Sequence, residues 1–274
     1  MLTKLSSPDI KARAEFAEAL ARDAGRAAAA FRKNASAETL VIENKGHQDF
    51  VTIADKQTEE TIRTALAKAF PEDGFMGEET GGAVNTDGVW VVDPIDGTTN
   101  FLRGFRHWGV SIAFVVGDHI EIGVIYDATR DKVFTATRGG GAFSDGTPIH
   151  ASTLTDPDKA IAILGHSRRT DFDIYLGVLK DLYARGIDYR RMGAAAIGLI
   201  RVADGTADLY YESHLNSWDM LAGALIAHEA GAAVLMPSIA DILRDGGPIV
   251  ANAAGLNDEF SFLHKQLASS SQQL

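Results

Sequence analysis

The chain has 274 residues, of which 46% are hydrophobic and none is cysteine, and its formal net charge at pH 7 is −11. This length can bury one large core or two smaller ones. The lack of cysteine excludes disulfides, thiolate metal sites and cysteine nucleophiles, and the negative charge argues against a nucleic acid or an anionic membrane as partner. An acidic protein can still bind phosphate, provided that metal ions or helix N-termini offset its charge.

The N-terminal region predicts a long helix and no targeting segment. Residues 8–33 are rich in alanine and charge, and their apolar residues recur at helical spacing behind Ser6 and Ser7 as possible caps. The segment MLTKLSSPDIKARAEFAEAL lacks the apolar stretch of a signal peptide. No apolar run approaches the roughly 20 residues of a membrane-spanning helix. We therefore expect a cytoplasmic protein.

The next segments predict one helix and then an antiparallel sheet. A strand end in DFVTIAD precedes a helix expected from about Asp55 to Phe70, where Pro71 stops it. GFMGEETGG is interpreted as a short extended piece that runs into turn residues. Residues 89–143 contain successive apolar runs separated by turn signals such as Gly117-Asp118, which predicts a meander of hairpins.

After about residue 150 the pattern changes to alternating strands and helices, which predicts an α/β half. No proline-rich or low-complexity linker separates the two halves. We therefore expect two lobes, residues 1–150 and 151–274, packed as one unit with a site between them. The C-terminal segment LASSSQQL is expected to fray.

The stretch WVVDPIDGTTNF is the first candidate for chemistry. Pro94 disfavours the helical region for Asp93, so that residue stays extended while the chain turns through Ile95 to Gly97, and Asp93 and Asp96 can face one point. Gly97 permits close approach of the backbone, and the residues after it can begin a helical turn whose amides point at an anion. An ordinary turn rich in proline, aspartate and glycine is the equally weighted alternative for this stretch alone.

Further acidic residues occur at the ends of predicted elements. GEET supplies Glu78, and SWD supplies Asp219 in the first turn of a helix. Taken singly, Asp219 suits a solvated helix N-terminus and Glu78 an exposed charged position. If Glu78, Asp93, Asp96 and Asp219 converge, their repulsion requires divalent cations among them, and oxygen ligands favour Mg²⁺, with Mn²⁺ next.

Other possible signals are weaker. The eight histidines show no pair at helical metal-ligand spacing, and His107 beside Trp108 is interpreted as a packed structural histidine. RGGGAF lacks the strand and helix context of a nucleotide-binding loop and is expected to be a hairpin turn. No serine lies in a GxSxG elbow.

Three motifs together resemble the inositol monophosphatase family: GEET at 77–80, WVVDPIDGTTNF at 90–101 and WDMLAGALIAHEAGA at 218–232. The resemblance extends from about Lys45 to Ala253. It implies the layered α-β-α-β-α sandwich of that family, in agreement with the antiparallel and α/β halves described above. It also implies a metal-dependent, lithium-sensitive phosphatase, and a homodimer would fit.

The resemblance implies a set of metal ligands. Glu78, Asp93 and the carbonyl oxygen of Ile95 would bind a first Mg²⁺. Asp93, Asp96 and Asp219 would bind a second, with Asp93 bridging the two ions. The mechanism that follows is an in-line displacement by an activated water, without a covalent enzyme intermediate.

The resemblance also implies catalytic and phosphate-binding residues. Asp55 matches an acid that helps a third, weaker ion through water, and a helix N-cap is its ordinary alternative. Thr98 matches the threonine that, with Glu78, orients and deprotonates the attacking water. The amides of Gly97, Thr98 and Thr99 would bind the phosphate oxygens.

The leaving group would contact residues of the second half. Glu212 matches an acid that accepts a hydroxyl of the inositol ring, and a polar strand end is its alternative. Gly193 and Ala195 would line the pocket wall. Ala194 departs from the Ser or Thr that commonly follows this glycine, which bears on the identity of the natural substrate.

The expected reaction is hydrolysis of a small-molecule phosphate monoester, inositol 1-phosphate first. Phosphatases of histidinol phosphate, fructose 1,6-bisphosphate and adenosine 3′,5′-bisphosphate share the site, and GTTNF favours the inositol type. A haloacid-dehalogenase-like phosphatase is disfavoured because it requires two aspartates two apart near the start of the chain. A regulatory role through a protein partner is a further alternative, in addition to catalysis.

Overall fold

The computed structural model describes residues 6–35, 43–46, 49–51, 53–82, 88–263 and 271–273. The α-helices within them are α1 (Ser7–Asn34), α2 (Ile53–Ala69), α3 (Thr98–Arg103), α4 (Phe172–Ala184), α5 (Ala195–Ala203), α6 (Ser217–Glu229) and α7 (Ile239–Asp245). The strands are β1 (Glu43–Gly46), β2 (Asp49–Val51), β3 (Gly74–Gly77), β4 (Gly88–Asp96), β5 (Gly109–Val116), β6 (His119–Asp127), β7 (Lys132–Thr137), β8 (Ala142–Ser144), β9 (Thr147–Pro148), β10 (Ile161–Leu164), β11 (Asp188–Arg190), β12 (Leu209–Leu215), β13 (Ala232–Pro237), β14 (Gly247–Ala253) and β15 (Ser271–Gln273). Short 3₁₀ turns cover Pro157–Lys159 and Ala254–Leu256.

The strands form two main sheets and one small hairpin. The first sheet has the order β3-β4-β5-β6-β7-β8-β9, and the second has the order β11-β10-β12-β14-β13-β15, while β1 pairs with β2. From β4 to β9 every neighbouring pair is antiparallel, which confirms the predicted meander. Strand β3 joins its edge in parallel with β4, so the first sheet is mixed.

Helices cover both faces of the first sheet. On its outer face α1 packs on β5, β6 and β7, and α2 packs on β4 and on α1. Alanines on one side of α1 (Ala17, Ala21 and Ala24) join a core cluster with the sheet residues Trp90 and Tyr126. This spacing of three and four residues is the apolar stripe expected of a helix that lies on a sheet.

Helices α5 and α6 form the central layer between the two sheets. Helix α6 contacts strands β4 to β7 of the first sheet and β13 and β14 of the second, and α5 contacts β12 and β14. All nine residues of α5 are buried. A helix that is buried on all sides is expected where protein surrounds it completely, and its charged residue Arg201 is paired with Asp127.

The last layer covers the far face of the second sheet. There Tyr175, Val178 and Leu182 of α4 pack with strand residues such as Leu209 and with the C-terminal segment around residues 256–263. The layers therefore run helix, sheet, helix, sheet, helix, which confirms the α-β-α-β-α prediction.

Several elements differ from the sequence-based expectation. Helix α2 begins at Ile53, so Asp55 lies in its first turn and is not the N-cap. Helix α7 was not predicted, and residues 271–273 of the segment expected to fray form an edge strand beside β13. Among the described helices, none combines the length and the hydropathy that crossing a bilayer requires.

Candidate metal centre

Asp93 and Asp96 lie at the buried end of β4. In a regular strand residues three apart point to opposite faces, because side chains alternate. The pairing of β4 with β5 is interrupted between Asp93, which lies opposite Ser111, and Asp96, which lies opposite Gly109. This irregularity around Pro94 changes the alternation, so both carboxyl groups reach the same side of the strand end.

Glu78 lies directly beside this pair. Its neighbour Gly77 is opposite Val92 in the parallel β3–β4 pairing, and the amide of Glu78 donates to the carbonyl oxygen of Val92 at 3.1 Å. The carboxyl groups of Glu78 and Asp93 are at hydrogen-bond distance. Because β3 and β4 are parallel, the acidic residues at the C-terminal ends of the two strands meet at one edge.

Asp219 reaches the site from the first turn of α6. Its Oδ2 atom accepts a hydrogen bond from the amide of Asn216 at 2.8 Å, in a capping box. Asp93, Asp96 and Asp219 each offer a carboxylate oxygen, and these three oxygens lie within 4.8 Å of one another. The structure thus brings together the four acids that the sequence motifs supply separately.

The cluster is electrostatically unfavourable as it stands. Burial raises the pKa of Asp93 well above its ordinary value, and Glu78, Asp96 and Asp219 raise it further. Burial, followed by Asp219, raises the pKa of Glu78 in the same way. Burial and Asp219 raise the pKa of Asp96 to about 7, although the amide of Ala195 opposes the shift. Burial raises the pKa of Asp219 to about 6.

These residues fit divalent cations. Buried carboxylates that raise one another's pKa stay ionised near neutral pH only when positive charge lies among them. The clustered donors are all oxygen atoms, which are the ligands of hard ions such as Mg²⁺. Asp93 is the central member, since the other three acids all act on its pKa.

Asp96 also connects the site to the second half of the chain. Its Oδ1 atom accepts a hydrogen bond from the amide of Ala195 at 2.9 Å, and its Oδ2 atom accepts one from the amide of Ile197 at 3.3 Å. These amides belong to the first turn of α5, which has no partners for them within the helix. A carboxylate of the first sheet therefore caps a helix about one hundred residues away.

Thr98 lies between two other predicted site residues. Its hydroxyl group is 3.2 Å from Oδ1 of Asp55 and 3.1 Å from the carbonyl oxygen of Ile95. Asp55 is fully buried, and it also acts on the pKa of Glu78. One group on the β3 side of the cluster consequently consists of Asp55, Thr98, Ile95 and Glu78.

Gly97 makes the turn from β4 into α3. Its φ is +87°, a left-handed conformation that favours glycine. A Cβ atom here would lie 2.9 Å from the carbonyl oxygen of His107 and 3.0 Å from Cβ of Ala194. The first helical bond of α3 runs from Phe101 to Gly97, so the amides between them have no acceptor inside the helix. Thr99 is exposed in this turn.

A cavity of about 180 Å³ opens beside Asp96 and Asp219. The predicted leaving-group residues Gly193, Ala195 and Glu212 all line it. Residues that sequence reasoning did not select line it as well, namely His166, Arg191 and Tyr210. The hydroxyl of Tyr210 donates to Oε2 of Glu212 at 2.7 Å.

The environment of Glu212 keeps its proton near neutral pH. Burial raises the pKa of Glu212 to about 8, against the hydrogen bond from Tyr210 and the charge of Arg191. Asp219 and Asp96 add to the upward shift. A protonated carboxyl group can donate a hydrogen bond as well as accept one.

His107 is not packed as expected. The residue is exposed and adopts a φ of +72°, while the adjacent Trp108 is buried against Phe101. The carbonyl oxygen of His107 accepts a hydrogen bond from Nδ2 of Asn100 at 2.7 Å, and the same nitrogen is 2.8 Å from the carbonyl oxygen of Met192. The amide of Asn100 thereby connects the turn after β4 to the cavity wall.

Glu59 supports the loop that carries Glu78. It is fully buried in α2, and its two carboxylate oxygens accept hydrogen bonds of 2.8 Å from the amides of Glu79 and Thr80. A Cβ atom on Gly77 would come within 2.4 Å of the Glu59 carboxyl carbon, so a larger residue there would displace this carboxylate from the two amides. The spacing of four residues from Asp55, which places both acids on one face of α2, is the sequence signal that could have identified it.

The substitution Glu59→Gln is expected to weaken activation by Mg²⁺ about 10–100-fold, because residues that orient metal ligands have effects of this size. Glutamine can accept only one of the two amide hydrogens and presents an NH₂ group to the other. The Mg²⁺ concentration for half-maximal activity measures the effect. The neighbouring exposed variant Glu60→Gln, which loses an ion pair with Arg63, is the control. Equal Mg²⁺ dependence of the two variants would contradict the positioning role.

Comparison with known proteins agrees with this geometry. Residues 10–273 match the model of the inositol monophosphatase family. The chain is 40% identical to the Nus factor SuhB of Salmonella typhimurium over 194 aligned residues. This alignment covers 69% of this chain and 73% of that protein. It superimposes with a TM-score of 0.85 and 33% identity on the extragenic suppressor protein suhB from Bartonella henselae, covering 93% of this chain and 99% of that one.

A second solved structure shares the fold. The inositol monophosphatase from Anabaena superimposes with a TM-score of 0.81 and 27% identity, covering 94% of this chain and 97% of that one. The family model spans nearly the whole chain, and the four clustered acids come from the motifs on which the resemblance was based. The chain therefore belongs to the inositol monophosphatase family.

Proposed function

We propose that the protein hydrolyses a phosphate monoester in the presence of Mg²⁺, with inositol 1-phosphate as the first candidate substrate. Family membership supports a metal-dependent phosphatase. The observation that carries the proposal is the convergence of four acids beside a cavity that Glu212 lines; the acids are Asp93, Asp96, Asp219 and Glu78. The acidic cluster, the turn at Gly97 and the cavity proposed for the alcohol are thus adjacent.

The residues divide into two proposed metal sites. Glu78, Asp93 and the carbonyl oxygen of Ile95 would hold one Mg²⁺, and Asp93, Asp96 and Asp219 would hold the other, while Mn²⁺ could replace either. The central position of Asp93 among the four acids supports its bridging role. When bound, the ions supply Lewis acids that activate water and stabilise negative charge on the departing oxygen.

The remaining groups on the β3 side orient the nucleophile. The Thr98 hydroxyl donates its hydrogen to Asp55 or to the carbonyl oxygen of Ile95, which leaves its lone pairs to accept a hydrogen from the attacking water. Glu78 is the proposed acceptor of the water proton. Asp55 would also assist a third, weaker ion through water.

The turn after β4 is proposed to bind the phosphate. The amides of Gly97, Thr98 and Thr99 lie at the start of α3, where N–H groups lack acceptors within the helix and favour an anion. The alcohol part of the substrate is proposed to occupy the cavity that Asp96 and Asp219 line. Gly193 and Ala195 would form the wall against the alcohol, and Glu212 would exchange hydrogen bonds with its hydroxyl groups.

The two lobes, residues 1–150 and 151–274, are proposed to act as one unit. The hydrogen bonds from α5 amides to Asp96 and from Asn100 to the carbonyl oxygen of Met192 cross between them. The Ser111 hydroxyl donates to the carbonyl oxygen of Trp218 at 2.9 Å, next to Asp219. Separating the lobes would therefore divide the ligand set. The homodimer and the cytoplasmic location remain predictions.

A regulatory role through a protein partner is the second candidate, in addition to catalysis. Relatives that are 34–40% identical carry the name Nus factor SuhB.

The first measurement is phosphate release from inositol 1-phosphate, histidinol phosphate, fructose 1,6-bisphosphate and adenosine 3′,5′-bisphosphate with Mg²⁺, with added Li⁺ and with EDTA. Metal-dependent release led by inositol 1-phosphate supports the proposal, another leading ester changes the substrate, and no release favours the regulatory role.

When the metal is removed, the melting temperature of the protein is expected to depend on pH, because the acidic residues of the cluster then repel one another. In the folded state the pKa is raised to about 6 for Asp219, about 7 for Asp96 and about 8 for Glu212. Carboxyl groups of this kind contribute stability while they are protonated, and this stability is lost as pH rises from about 5 to 8. In EDTA the melting temperature should therefore fall over this range. Mg²⁺ at 100-fold its Kd should restore about 5–10 °C at pH 8 and less at pH 5, where protons compete. Equal melting temperatures with EDTA and millimolar Mg²⁺ would count against the metal site.

A further inference from the structure

One of the four acids in the cluster depends on packing between distant parts of the chain. Glu78, Asp93 and Asp96 lie at the ends of the neighbouring strands β3 and β4, so strand pairing holds them together. Asp219 instead belongs to the first turn of α6. Its distance from the other acids is therefore decided by the residues of the first sheet on which α6 packs.

Ser111 connects the first turn of α6 to the strand beside Asp93. It is the only polar residue of β5, and its side chain is fully buried. Ser111 lies opposite Asp93 in the pairing of β4 with β5, so the two side chains are on the same face of the sheet. The Ser111 hydroxyl donates to the carbonyl oxygen of Trp218, the residue before Asp219, at 2.9 Å. Because a buried hydroxyl is costly without a partner, this bond favours one position of the helix end.

Gly123 sets how closely α6 approaches the sheet. It lies in β6 opposite Ala113, two residues along β5 from Ser111, and therefore on the same face. A Cβ atom on Gly123 would lie 2.6 Å from the carbonyl oxygen of Ala222 and 3.2 Å from its Cα atom. Both atoms belong to the backbone of α6, less than one turn after Asp219, so they can give way only if the helix moves.

A third contact joins the start of α6 to β3. The Ser217 hydroxyl is 3.5 Å from Sδ of Met76, a buried residue of β3 two positions before Glu78. The first two turns of α6 thus contact β3, β5 and β6 within a few residues of Asp219. The same sheet that carries the other acids consequently determines where Asp219 lies.

We propose that Ser111 and Gly123 are positioning residues for the metal ion that Asp219 binds. The inference rests on the proposed two-ion site and adds residues that touch neither ion. If α6 moves away from the sheet, the carboxylate of Asp219 leaves Asp93 and Asp96, whereas the pairing of β3 with β4 keeps Glu78 beside Asp93. Because Mg²⁺ tolerates little change in ligand geometry, one of the two ions is then lost selectively.

The substitution Gly123→Ala tests the proposal by moving α6 outwards. Gly123 has no positive φ, so alanine is opposed there only by lack of space. Titration with Mn²⁺ alone, with free Mn²⁺ measured by electron paramagnetic resonance, reports the binding of each ion without turnover. We expect the dissociation constant of one ion to rise at least about tenfold and that of the other to change less than about threefold. Asp219→Asn should remove the same binding step, and adding Gly123→Ala to it should leave the remaining step unchanged within about threefold.

Gly25→Ala is the matched control, because it inserts the same methyl group at the other face of the same sheet. Its Cβ would overlap the ring of Tyr126 in β6 and displace α1, which contains none of the proposed ligands. Gly25 also has no positive φ. This variant should lower the melting temperature and keep both Mn²⁺ dissociation constants within about threefold of the wild-type values.

Ser111→Ala is the milder test and remains informative if Gly123→Ala does not fold. It removes one hydrogen bond without adding atoms, and we expect it to weaken the same ion about three- to tenfold. Equal effects of Gly123→Ala and Gly25→Ala on the two binding steps, or an unchanged Mn²⁺ isotherm in Ser111→Ala, would overturn the positioning roles.

The wild-type isotherm and phosphate release separate this proposal from the proposed function. A wild-type protein that binds a single Mn²⁺ ion would overturn the positioning roles, because no separate ion would then depend on Asp219. A protein that binds two ions with the expected dependences and hydrolyses none of the esters would keep the positioning roles and contradict only the phosphatase function.

Discussion

The substitution Asp93→Asn is expected to lower kcat/KM on the order of 10³-fold or more while the fold is retained. Mutation of residues that orient metal ligands typically lowers metal affinity or activity about 10–100-fold. A larger loss is expected here because Asp93 is proposed to bind both ions directly. Asparagine has nearly the same shape, and its amide oxygen can still accept the 2.9 Å hydrogen bond from the amide of Ile95. The loss therefore reports the missing charge, and steady-state kinetics over a range of Mg²⁺ concentrations measures it.

The same variant should be more stable than the wild-type protein when metal is absent. Asp93 is buried among Glu78, Asp96 and Asp219, all of which raise its pKa, so its ionisation opposes folding. Removing the charge should raise the melting temperature in EDTA at pH 8 and reduce the stabilisation that Mg²⁺ provides. Asp118→Asn, in the exposed hairpin turn after β5, is the control for the chemical change alone. Turnover above a few per cent of wild type would sink the bridging role.

The substitution Gly97→Ala is expected to reduce kcat about 10²-fold. Alanine at φ +87° adopts a left-handed conformation that costs about 1–2 kcal/mol, and its Cβ would crowd the carbonyl oxygen of His107 and the side chain of Ala194. The turn must then shift, and Thr98 moves with it. Displacements of about 1 Å at a reacting centre can have effects of this size.

The variant Gly117→Ala separates the cost of the left-handed backbone conformation from the cost of steric crowding. Gly117 has a φ of +56°, and a Cβ there would meet nothing within 4 Å, in a hairpin remote from the acids. This variant should lose only the stability that the left-handed conformation costs, and it should keep its activity. Melting curves and initial rates of both variants make the comparison. If the two variants lose activity equally, the close approach at Gly97 is not important for the reaction.

Local sequence patterns predicted much of the fold. The helix expected at 8–33 occupies Ser7–Asn34, and the meander expected at 89–143 is present from β4 to β8. These elements depend on helical or alternating periodicity and on turn residues, which act within a few positions of the chain. The parallel pairing of β3 with β4 depends on contacts between separate segments, and the seven-residue α7 is too short to show a clear period.

The candidate site shows the same division. The motifs named all four acids, together with Thr98, Gly97 and Glu212, because their residue types and spacing match the family. Glu59, His166 and Arg191 carry no such motif, and their relation to the site follows from packing. The packed position expected for His107 was wrong, because only the tertiary structure decides which side of Trp108 is buried.

The sequence alone determined which donor atoms this protein has: carboxylates in place of thiolates, a glycine where the chain must turn, and apolar segments long enough for two sheets. Only the tertiary structure decided that these groups meet. Asp93 and Asp96 reach one side of β4 through an irregularity in its pairing, and Asp219 joins them from α6, which packs between the sheets. Burial and mutual repulsion then raise the pKa values of these acids. Both effects depend on distances in the folded structure, which the order of residues along the chain does not give.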